Sequence, residues 1–347
     1  MYNNIAPWTV AIIAARESID ILTRCITATL AACASNGAVI DVVINGNADL
    51  AEQTAALVRS GALEQGPSKV RVWSIAVGDK AHAWNQYVHH IWPGSEIAYF
   101  VDGYVAARRD AFTALRRRLA ESPEALGVTG VPSVGRSAAK ARQYMIQHGG
   151  FQGNMHALSS EAMVGIRERG LRLPLGLYRT DSLVGALLLL KLAPESVNWE
   201  PKRIVVAADA TWDIPGHVPF AFRNIKAQFK RILRQAQGEL ENRALREHMT
   251  VQRLPAQQLP ETASELVNQW IMAQPQQARA LLKRPTCRYA AYKLRDQRDW
   301  SAAKLPLRLL HGSDGSEDSQ ELDRSSGTEL RSPIESGIST AGVSVNQ

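Results

Sequence analysis

The chain has little cysteine and no long apolar run. Cys25, Cys33 and Cys287 form no C-x-x-C pair, which argues against a zinc site and favours reduced thiols in the cytoplasm. The longest unbroken apolar stretch, 183–190, is far shorter than the ~20 residues that cross a bilayer. The N-terminus has no basic segment ahead of its apolar run, so no signal peptide is predicted. We expect a cytoplasmic protein that is soluble, or at most peripheral at the inner face of a membrane.

Charge is distributed unevenly along the 347 residues, of which 40 are Lys or Arg and 33 are Asp or Glu. Residues 311–347 hold far more acids than bases, no aromatic residue and much Ser and Gly. Because such a segment cannot bury enough apolar surface to fold, we predict a disordered acidic tail over 311–347. The rest of the chain is strongly basic, which suggests a polyanionic partner: nucleic acid, nucleotide phosphates or an anionic membrane surface.

Strand-like and helix-like segments alternate through the first half of the chain. Short β-branched runs predict strands over 9–14, 39–44, 70–76, 97–101 and 128–131. Amphipathic segments between them predict helices over 19–35, 50–60, 81–91 and 111–120. This alternation predicts an α/β fold whose mostly parallel sheet is covered by helices on both faces. Ligands of such sheets bind in the loops beyond the carboxyl ends of the strands.

The second half of the chain is less regular. A glycine-rich segment over 148–154 predicts a mobile loop, and 212–219 also predicts a loop. Helices are predicted over 160–169, 182–192 and 220–248, and a strand over 203–207. A further helical region, 261–304, is interrupted by prolines. Ser159 is a candidate cap for the helix that begins at 160.

Polar residues follow four of the predicted strands. The four loops read Ala-Ala-Arg-Glu-Ser at 14–18, Asn-Gly-Asn-Ala-Asp at 45–49, Lys-Ala-His-Ala-Trp-Asn at 80–85 and Asp-Gly-Tyr at 102–104. In order and spacing these loops resemble those of family 2 glycosyltransferases, inverting enzymes of the GT-A fold. The resemblance covers residues 8–234 and implies a Rossmann-like sheet that binds a nucleotide-sugar. The donor-binding residues that it implies are Ala14, Arg16, Glu17, Asn45, Lys80, Asn85 and Asp102.

Three of these loops depart from the family pattern. Glu17 and Ser18 stand where Asn-Glu is usual. Asn45 replaces an Asp that commonly contacts the base, and Tyr104 replaces the second acid of Asp-x-Asp. An amide still donates and accepts hydrogen bonds, so recognition of a base survives at Asn45. The departures also keep a second interpretation open, in which the protein is a catalytically inactive relative that binds a nucleotide-sugar or a glycan.

The resemblance further implies a divalent metal, Mg²⁺ or Mn²⁺, bridging the diphosphate of the donor. Asp102 keeps the first acid of the motif, and one carboxylate together with substrate phosphates is sufficient for Mg²⁺. His217, in a loop over 213–217, is the candidate second ligand. We therefore predict a metal site at Asp102 and His217; the alternative for this histidine is a solvated side chain.

An acceptor-side pattern lies in the second half of the chain. By resemblance, Gly153, Asn154, His156 and Thr180 belong to it. Asp181 stands where the family has its general base, which takes the proton of the acceptor hydroxyl during inverting transfer. Because Asp181 precedes a predicted helix, a plain helix cap is the alternative interpretation.

The basic segment after residue 220 contains Gln-Phe-Lys-Arg-Ile at 228–232, which partly matches the Gln-x-x-Arg-Trp signature of processive family members. The Trp and the membrane spans of those enzymes are absent, so we predict addition of a single sugar. By resemblance, Arg231 contacts the diphosphate. Apolar residues alternate with cations over 222–233, and two arrangements stay open: these residues pack on the catalytic domain, or they lie on an anionic bilayer near a lipid-linked acceptor.

Together these patterns predict a glycosyltransferase that assembles a cell-surface polysaccharide or glycolipid. We predict a catalytic domain over 1–219, with a nucleotide-sugar half at 1–131 and an acceptor half at 132–219. A basic helical region over 220–310 and the tail over 311–347 complete the chain. Nucleic acid is not a predicted partner, since the sequence has no zinc-finger spacing and no RNP-like motif, and a diphosphate site needs positive charge in any case.

Overall fold

Strands and helices alternate along the first half of the protein, as the sequence predicts. The computed structural model describes residues 6–133, 138–215, 223–295 and 298–312. The strands are β1 (Ala6–Ala14), β2 (Val39–Asn45), β3 (Lys69–Ile75), β4 (Ser95–Asp102), β5 (Ala106–Ala107), β6 (Gly127–Pro132), β7 (Met155–Ser159), β8 (Ile204–Asp213) and β9 (Arg308–His311). The helices are α1 (Ile19–Cys33), α2 (Ala48–Arg59), α3 (Lys80–Gln86), α4 (Ala111–Ala120), α5 (Ala138–His148), α6 (Ser160–Glu168), α7 (Thr180–Leu189), α8 (Arg223–Arg246), α9 (Ala263–Ala273), α10 (Pro275–Leu282) and α11 (Pro285–Arg295).

Within these described ranges the strands form one sheet in the order β5-β8-β6-β7-β4-β1-β2-β3-β9. Strands β3, β2, β1 and β4 are parallel neighbours, and β6 and β8 point the same way. Only β5, β7 and β9 run in the opposite direction. The carboxyl ends of β1 to β4 therefore meet at one edge of the sheet, where the loops 14–18, 45–49 and 102–104 lie.

Helices cover both faces of the sheet. Alternate residues of β1 point to opposite sides, so that Val10 and Ile12 join one apolar cluster whereas Ala11 and Ile13 join the other. Helices α1, α2 and α4 pack on the first side, and α3, α6, α7, α8 and α9 contribute to the second. This arrangement confirms the predicted α/β class.

Polar caps fix where several helices begin. The Ser18 hydroxyl accepts from the Ile21 N–H at the start of α1, and Asn47 accepts from the Leu50 N–H at the start of α2. The Ser159 hydroxyl accepts from the Ala162 N–H, which confirms the predicted cap of α6. These caps set the ends of the loops that follow the strands.

The second half differs from the sequence-based prediction in three places. Helix α5 was not predicted, and residues 155–159, placed with the acceptor motif, form strand β7 between β4 and β6. Strand β8 runs to Asp213, beyond the predicted end at 207 and into the predicted loop. Strand β7 is only five residues long, which is too short for an alternating apolar pattern to be recognised in the sequence. Its pairing with two strands that are distant in the chain makes it a strand.

The C-terminal helical region packs on the second side of the sheet and ends in a strand. Strand β9 pairs antiparallel with β3, and His311 faces Val72. His311 is therefore part of the sheet and not of the predicted tail, whose remaining residues from 313 onward lie outside the described residues. Residues up to Gly312 form one compact unit. Across the described ranges, no helix combines the length and apolarity needed to cross a membrane.

Candidate active site

A cleft of about 970 Å³ opens at the edge where the parallel strands end. It brings together most of the residues predicted from the sequence. Those that line it are Ala14, Arg16, Glu17, Asn45, Lys80, Asp102, Gly153, Asn154, Thr180, Asp181 and Arg231. Residues that are separated by more than 200 positions in the chain therefore share one site, with α7 and α8 forming the wall opposite the strand ends.

Asp102 lies at the end of β4, at the floor of the cleft, and both of its carboxylate oxygens have partners. The Lys80 ammonium is ion-paired with Oδ1. The Tyr104 hydroxyl donates to Oδ2 over 3.0 Å, and the Asn154 amide donates to the Tyr104 oxygen over 3.0 Å. These four side chains form one connected network across the loops that follow β3 and β4 and precede β7.

The charge states in this network follow from burial and pairing. Burial by itself would lower the pKa of Lys80, but the adjacent Asp102 carboxylate raises that pKa above its ordinary value, so the ammonium stays protonated. Burial, followed by the charge of Asp102, raises the pKa of the Tyr104 phenol. At neutral pH Tyr104 is therefore a neutral hydroxyl that donates a hydrogen bond.

Glycines allow the loops to approach one another closely. A Cβ on Gly103 would lie 2.6 Å from the Cβ of Ala14, because the Gly103 N–H bonds the Ile13 carbonyl at 2.9 Å. A Cβ on Gly153 would lie 3.3 Å from the Cβ of Asp181. The first contact joins the ends of β1 and β4, and the second places Asp181 against the segment before β7.

The loop after β1 is shaped by Glu17 and Asn45. The Glu17 carboxylate accepts from the N–H groups of Ala15 and Arg16, at 2.7 and 2.8 Å. The Asn45 amide donates to the Ala14 carbonyl at 2.8 Å. A carboxylate at position 45 lacks the N–H that this bond requires, which gives a structural reason for the departure from Asp. The Arg16 side chain is left at the surface of the cleft.

Asn85, predicted to bind the donor, is buried and does not line the cleft. Its amide nitrogen donates to the Leu173 carbonyl and its oxygen accepts from the Leu173 N–H, both at 2.9 Å. With donor and acceptor atoms both engaged, Asn85 connects α3 to the segment before α7. This contact corrects its predicted placement.

His156 is also buried, beneath the cleft. Its ring stacks on Phe100 with centroids 5.1 Å apart, and Nδ1 bonds the Gln152 carbonyl at 3.0 Å. Burial, together with the Lys80 charge, lowers the pKa of His156 to about 3, so the ring is neutral. It lines a cavity of about 10 Å³ that Lys80 and Asp181 also line. It supports the floor of the site rather than lining the cleft itself.

Asp181 lies in the first turn of α7 and faces the cleft. The position preceding that helix is occupied by Arg179, whose side chain makes no capping hydrogen bond. Asp181 is therefore inside the helix, which argues against the cap interpretation. Its negative charge raises the pKa of Lys80 after the larger effect of Asp102, so the two acids and the ammonium lie within electrostatic range of each other.

Glu241, on α8, holds the backbone of the two residues that precede α7, and it was not predicted from the sequence. Its buried carboxylate accepts from the N–H groups of Tyr178 and Arg179 at 3.1 Å. The Gln237 amide donates to Oε1 at 2.7 Å. The C-terminal helical region thus fixes the start of α7 and the position of Asp181. An acid beside apolar Leu240 was the available signal, but α8 alone does not reveal the partner.

The wall of the cleft holds more cations than were predicted from the sequence. Seven Lys or Arg residues line it against four Asp or Glu residues. The cations that were not predicted are Arg179, Arg234, Lys293 and Arg298. The Arg298 guanidinium donates to the Gly78 carbonyl at 3.2 Å and lies 4.4 Å from the Trp300 ring centroid. This excess of positive charge suits an anionic ligand such as a diphosphate.

The described residues do not fit the predicted metal site. Mg²⁺ and Mn²⁺ prefer several oxygen ligands, but both oxygens of Asp102 are bonded to Lys80 and Tyr104. No group of three His, Cys, Asp or Glu side chains that could hold a metal occurs within the described ranges. His217, the other predicted ligand, lies outside them.

The fold has relatives among solved structures. No family model matches the sequence, and no curated protein matches it. A mannosyltransferase from Pyrobaculum calidifontis, solved in complex with GDP-Man and Mn²⁺, is similar with a TM-score of 0.52 and 16% identity, covering 87% of this chain and 78% of that one. The chain shares the fold of that enzyme. S. aureus TarS 1–349, in complex with UDP-GlcNAc, is similar with a TM-score of 0.45 and 13% identity, covering 83% of this chain and 89% of that chain.

The likeness to the mannosyltransferase confirms the predicted fold, a GT-A type α/β sheet with a C-terminal helical extension. At 16% identity it shows the fold alone.

Proposed function

We propose that the protein is an inverting glycosyltransferase that moves a sugar from a nucleotide-diphosphate sugar to a hydroxyl acceptor. One observation carries the proposal: Asp181 faces the ion pair of Lys80 and Asp102 across a single cleft at the carboxyl ends of the parallel strands. A carboxylate opposite a cation-rich floor supplies the two functions of such a transfer, a base for the acceptor and positive charge for the leaving group.

The donor occupies the floor and the strand-end side of the cleft. Its base and ribose lie against the loop that Glu17 and Asn45 shape, beside Arg16. Its diphosphate lies near Lys80 and Arg231, where lining cations outnumber acids. Positive charge fixed in this position stabilises the charge that develops on the leaving nucleotide and requires no reorganisation during the reaction.

The acceptor hydroxyl lies between Asp181 and the anomeric carbon. Its oxygen attacks that carbon from the face opposite the nucleotide, and the Asp181 carboxylate takes the hydroxyl proton as the new C–O bond forms. The bond from the anomeric carbon to the diphosphate oxygen breaks, and the nucleoside diphosphate leaves with its electron pair. Gly153, Asn154 and Thr180 border the acceptor side of this reaction, and buried His156 supports it from below.

Binding of a nucleotide-sugar tests this proposal directly. We expect one member of a panel of UDP-, GDP- and TDP-sugars to raise the Tm, since a ligand at 100 times its Kd adds about 2.7 kcal/mol of stability. A CMP-sugar, which carries a single phosphate, should not. Release of the free nucleotide in the presence of an acceptor extract is the second measurement. The matching free sugar is the control, because it lacks the diphosphate that the cations recognise. Failure of every nucleotide-sugar to shift the Tm would contradict the proposal.

Two apolar side chains are exposed on α8. Phe229 is 58% exposed and Ile232 is 47% exposed, next to the exposed cation Lys230. Of the two arrangements left open by the sequence, this exposure favours contact with an anionic bilayer at these two positions. The proposed acceptor is therefore a lipid-linked glycan, used in cell-surface polysaccharide or glycolipid assembly at the cytoplasmic face of a membrane.

Vesicle binding tests the membrane contact. We expect the protein to co-sediment with vesicles containing phosphatidylglycerol and to dissociate as salt is raised, since each Lys or Arg near an anionic surface contributes about 1 kcal/mol. The double variant Phe229→Ser with Ile232→Ser should bind several-fold more weakly. Met272→Ser, at another exposed apolar position on α9, is the matched control. Equal binding by wild type and the double variant, or no binding, would overturn the contact.

A further inference from the structure

The carboxylate of Asp102 has no free oxygen in the cleft. Lys80 occupies Oδ1 and the Tyr104 hydroxyl occupies Oδ2. The Asn154 amide bonds the Tyr104 oxygen in turn and so holds the phenol in place. A metal ion at Asp102 would lie beside the tethered Lys80 ammonium, whose positive charge opposes it, and would share oxygens that already accept two hydrogen bonds.

Three other carboxylates line the cleft. Glu17 accepts two backbone N–H groups of its own loop at one oxygen, Oε2. Asp79 accepts from the His82 N–H at the start of α3 and from the Gly176 N–H. Asp181 remains, and in the proposed reaction its carboxylate must be free to take a proton. Two of these acids therefore hold backbone N–H groups and the third serves the reaction, so none is assigned to a metal ion.

The cleft already holds positive charge where a diphosphate requires it. An ammonium has three N–H donors, so Lys80 keeps two for phosphate oxygens while it bonds Asp102. Arg231, Arg234 and Arg298 line the same cleft. Seven lining cations against four acids leave an excess that is sufficient for a ligand with two negative charges. Charge neutralisation of the diphosphate therefore does not depend on an added ion.

We propose that the protein binds its nucleotide-diphosphate donor without a divalent cation, with the Lys80 ammonium on Asp102 standing where a metal would otherwise bridge the phosphates. The inference rests on the proposed function, since it concerns the donor of that reaction. Tyr104 decides whether the donor is bound with or without a metal ion, because an acid at position 104 would place a second hard ligand for the metal next to Asp102.

Two measurements on the wild-type protein test this. The first is the donor Kd, by calorimetry, in EDTA and in millimolar Mn²⁺; the two values should agree within about twofold, which is less than 0.5 kcal/mol. The second is the electron paramagnetic resonance signal of free Mn²⁺, which adding the protein should leave unchanged, both in buffer and in a donor solution whose own Mn²⁺ binding sets the baseline. Donor binding only in Mn²⁺, or loss of the free Mn²⁺ signal below that baseline on adding protein, would overturn the inference.

Tyr104→Asp and Tyr104→Phe form a matched pair of variants. The Asp variant adds a carboxylate beside Asp102, so its donor affinity in EDTA should fall about tenfold or more and recover with Mn²⁺. The Phe variant removes the hydroxyl without adding a metal ligand, so its donor affinity should be the same in EDTA and in Mn²⁺. Mn²⁺ dependence in both variants would argue that the wild-type site binds metal as well, and would overturn the inference.

The two proposals fail in different ways. Absence of binding by every nucleotide-sugar, in EDTA and in Mn²⁺ alike, contradicts the proposed function. The Mn²⁺ signal without donor then still reports whether the protein alone binds the ion. Binding that occurs only with Mn²⁺ supports the glycosyltransferase proposal and removes the role given to Lys80.

Discussion

Replacing Asp181 by Asn is expected to lower kcat by about 10²–10⁴-fold, the range that a positioned general base contributes. Asn has the same shape but cannot take the proton of the acceptor hydroxyl. The donor Kd should be unchanged or slightly lower, because the substitution removes a negative charge from a cleft that binds a diphosphate. Steady-state transfer rates and donor calorimetry on the same preparation separate the two effects.

Asp20→Asn is the matched control for this variant. Asp20 is also an acid in the first turn of a helix, α1, and it does not line the cleft. Both substitutions remove one charge near a helix N-terminus, so both carry the same small cost in helix stability. Transfer at the wild-type rate by Asp181→Asn would remove Asp181 from the mechanism, and an equal loss in both variants would point to folding instead of chemistry.

Replacing Asp41 by Ala is expected to lower the free energy of unfolding by about 3–5 kcal/mol, the cost of leaving one partner of a buried pair alone. Asp41 is buried on β2, where it accepts from the Arg71 guanidinium at 2.7 and 3.0 Å and from the Trp73 indole at 2.7 Å. Arg71 also donates to the Ile91 carbonyl at 3.2 Å. Urea unfolding followed by tryptophan fluorescence measures the loss.

Two controls distinguish the stability lost by breaking this buried ion pair from the stability lost by breaking any ion pair. The double variant Asp41→Leu with Arg71→Met removes both charges and should recover a large part of the lost stability, since an apolar pair of similar size needs no compensating charge. Glu96→Ala breaks the surface pair with Arg116, at 2.9 Å, and should cost less than about 1 kcal/mol. A similar cost for Asp41→Ala and Glu96→Ala would contradict the role given to the buried pair.

Local patterns in the sequence were sufficient to predict the parallel strands β1 to β4. The β-branched runs that become β1 to β4 are buried on both faces, so each reads as a continuous apolar segment. Their ends carry the polar residues of the cleft, because ligands of parallel sheets bind at that edge. Lys80, Asp102 and Asp181 could therefore be placed in one site from spacing and resemblance, before their contacts were known.

The remaining features depend on long-range contacts that no local pattern reveals. Asn85 belongs to the motif by spacing, yet Leu173, 88 positions away, uses both ends of its amide. Glu241 is one acid among several on α8, and only the folded chain brings it to the backbone of Tyr178, 63 positions away. Strand β9 is four residues long, and its pairing with β3 makes it a strand. In each of these cases the structural role depends on a contact with a distant part of the chain and is not evident from the residue type.

The pairing of β9 with β3 also matters for how the protein behaves in solution. Val72, Trp73 and Ser74 of β3 face residues 308–311, and Leu310 accepts a hydrogen bond from Arg59 of α2 at 3.1 Å. Without β9, β3 would present a row of unpaired backbone groups, which is a template for adding a strand from another molecule. Any shortened form of the chain must therefore keep residues through Gly312. A form without them would expose the edge of β3 and would be prone to aggregation.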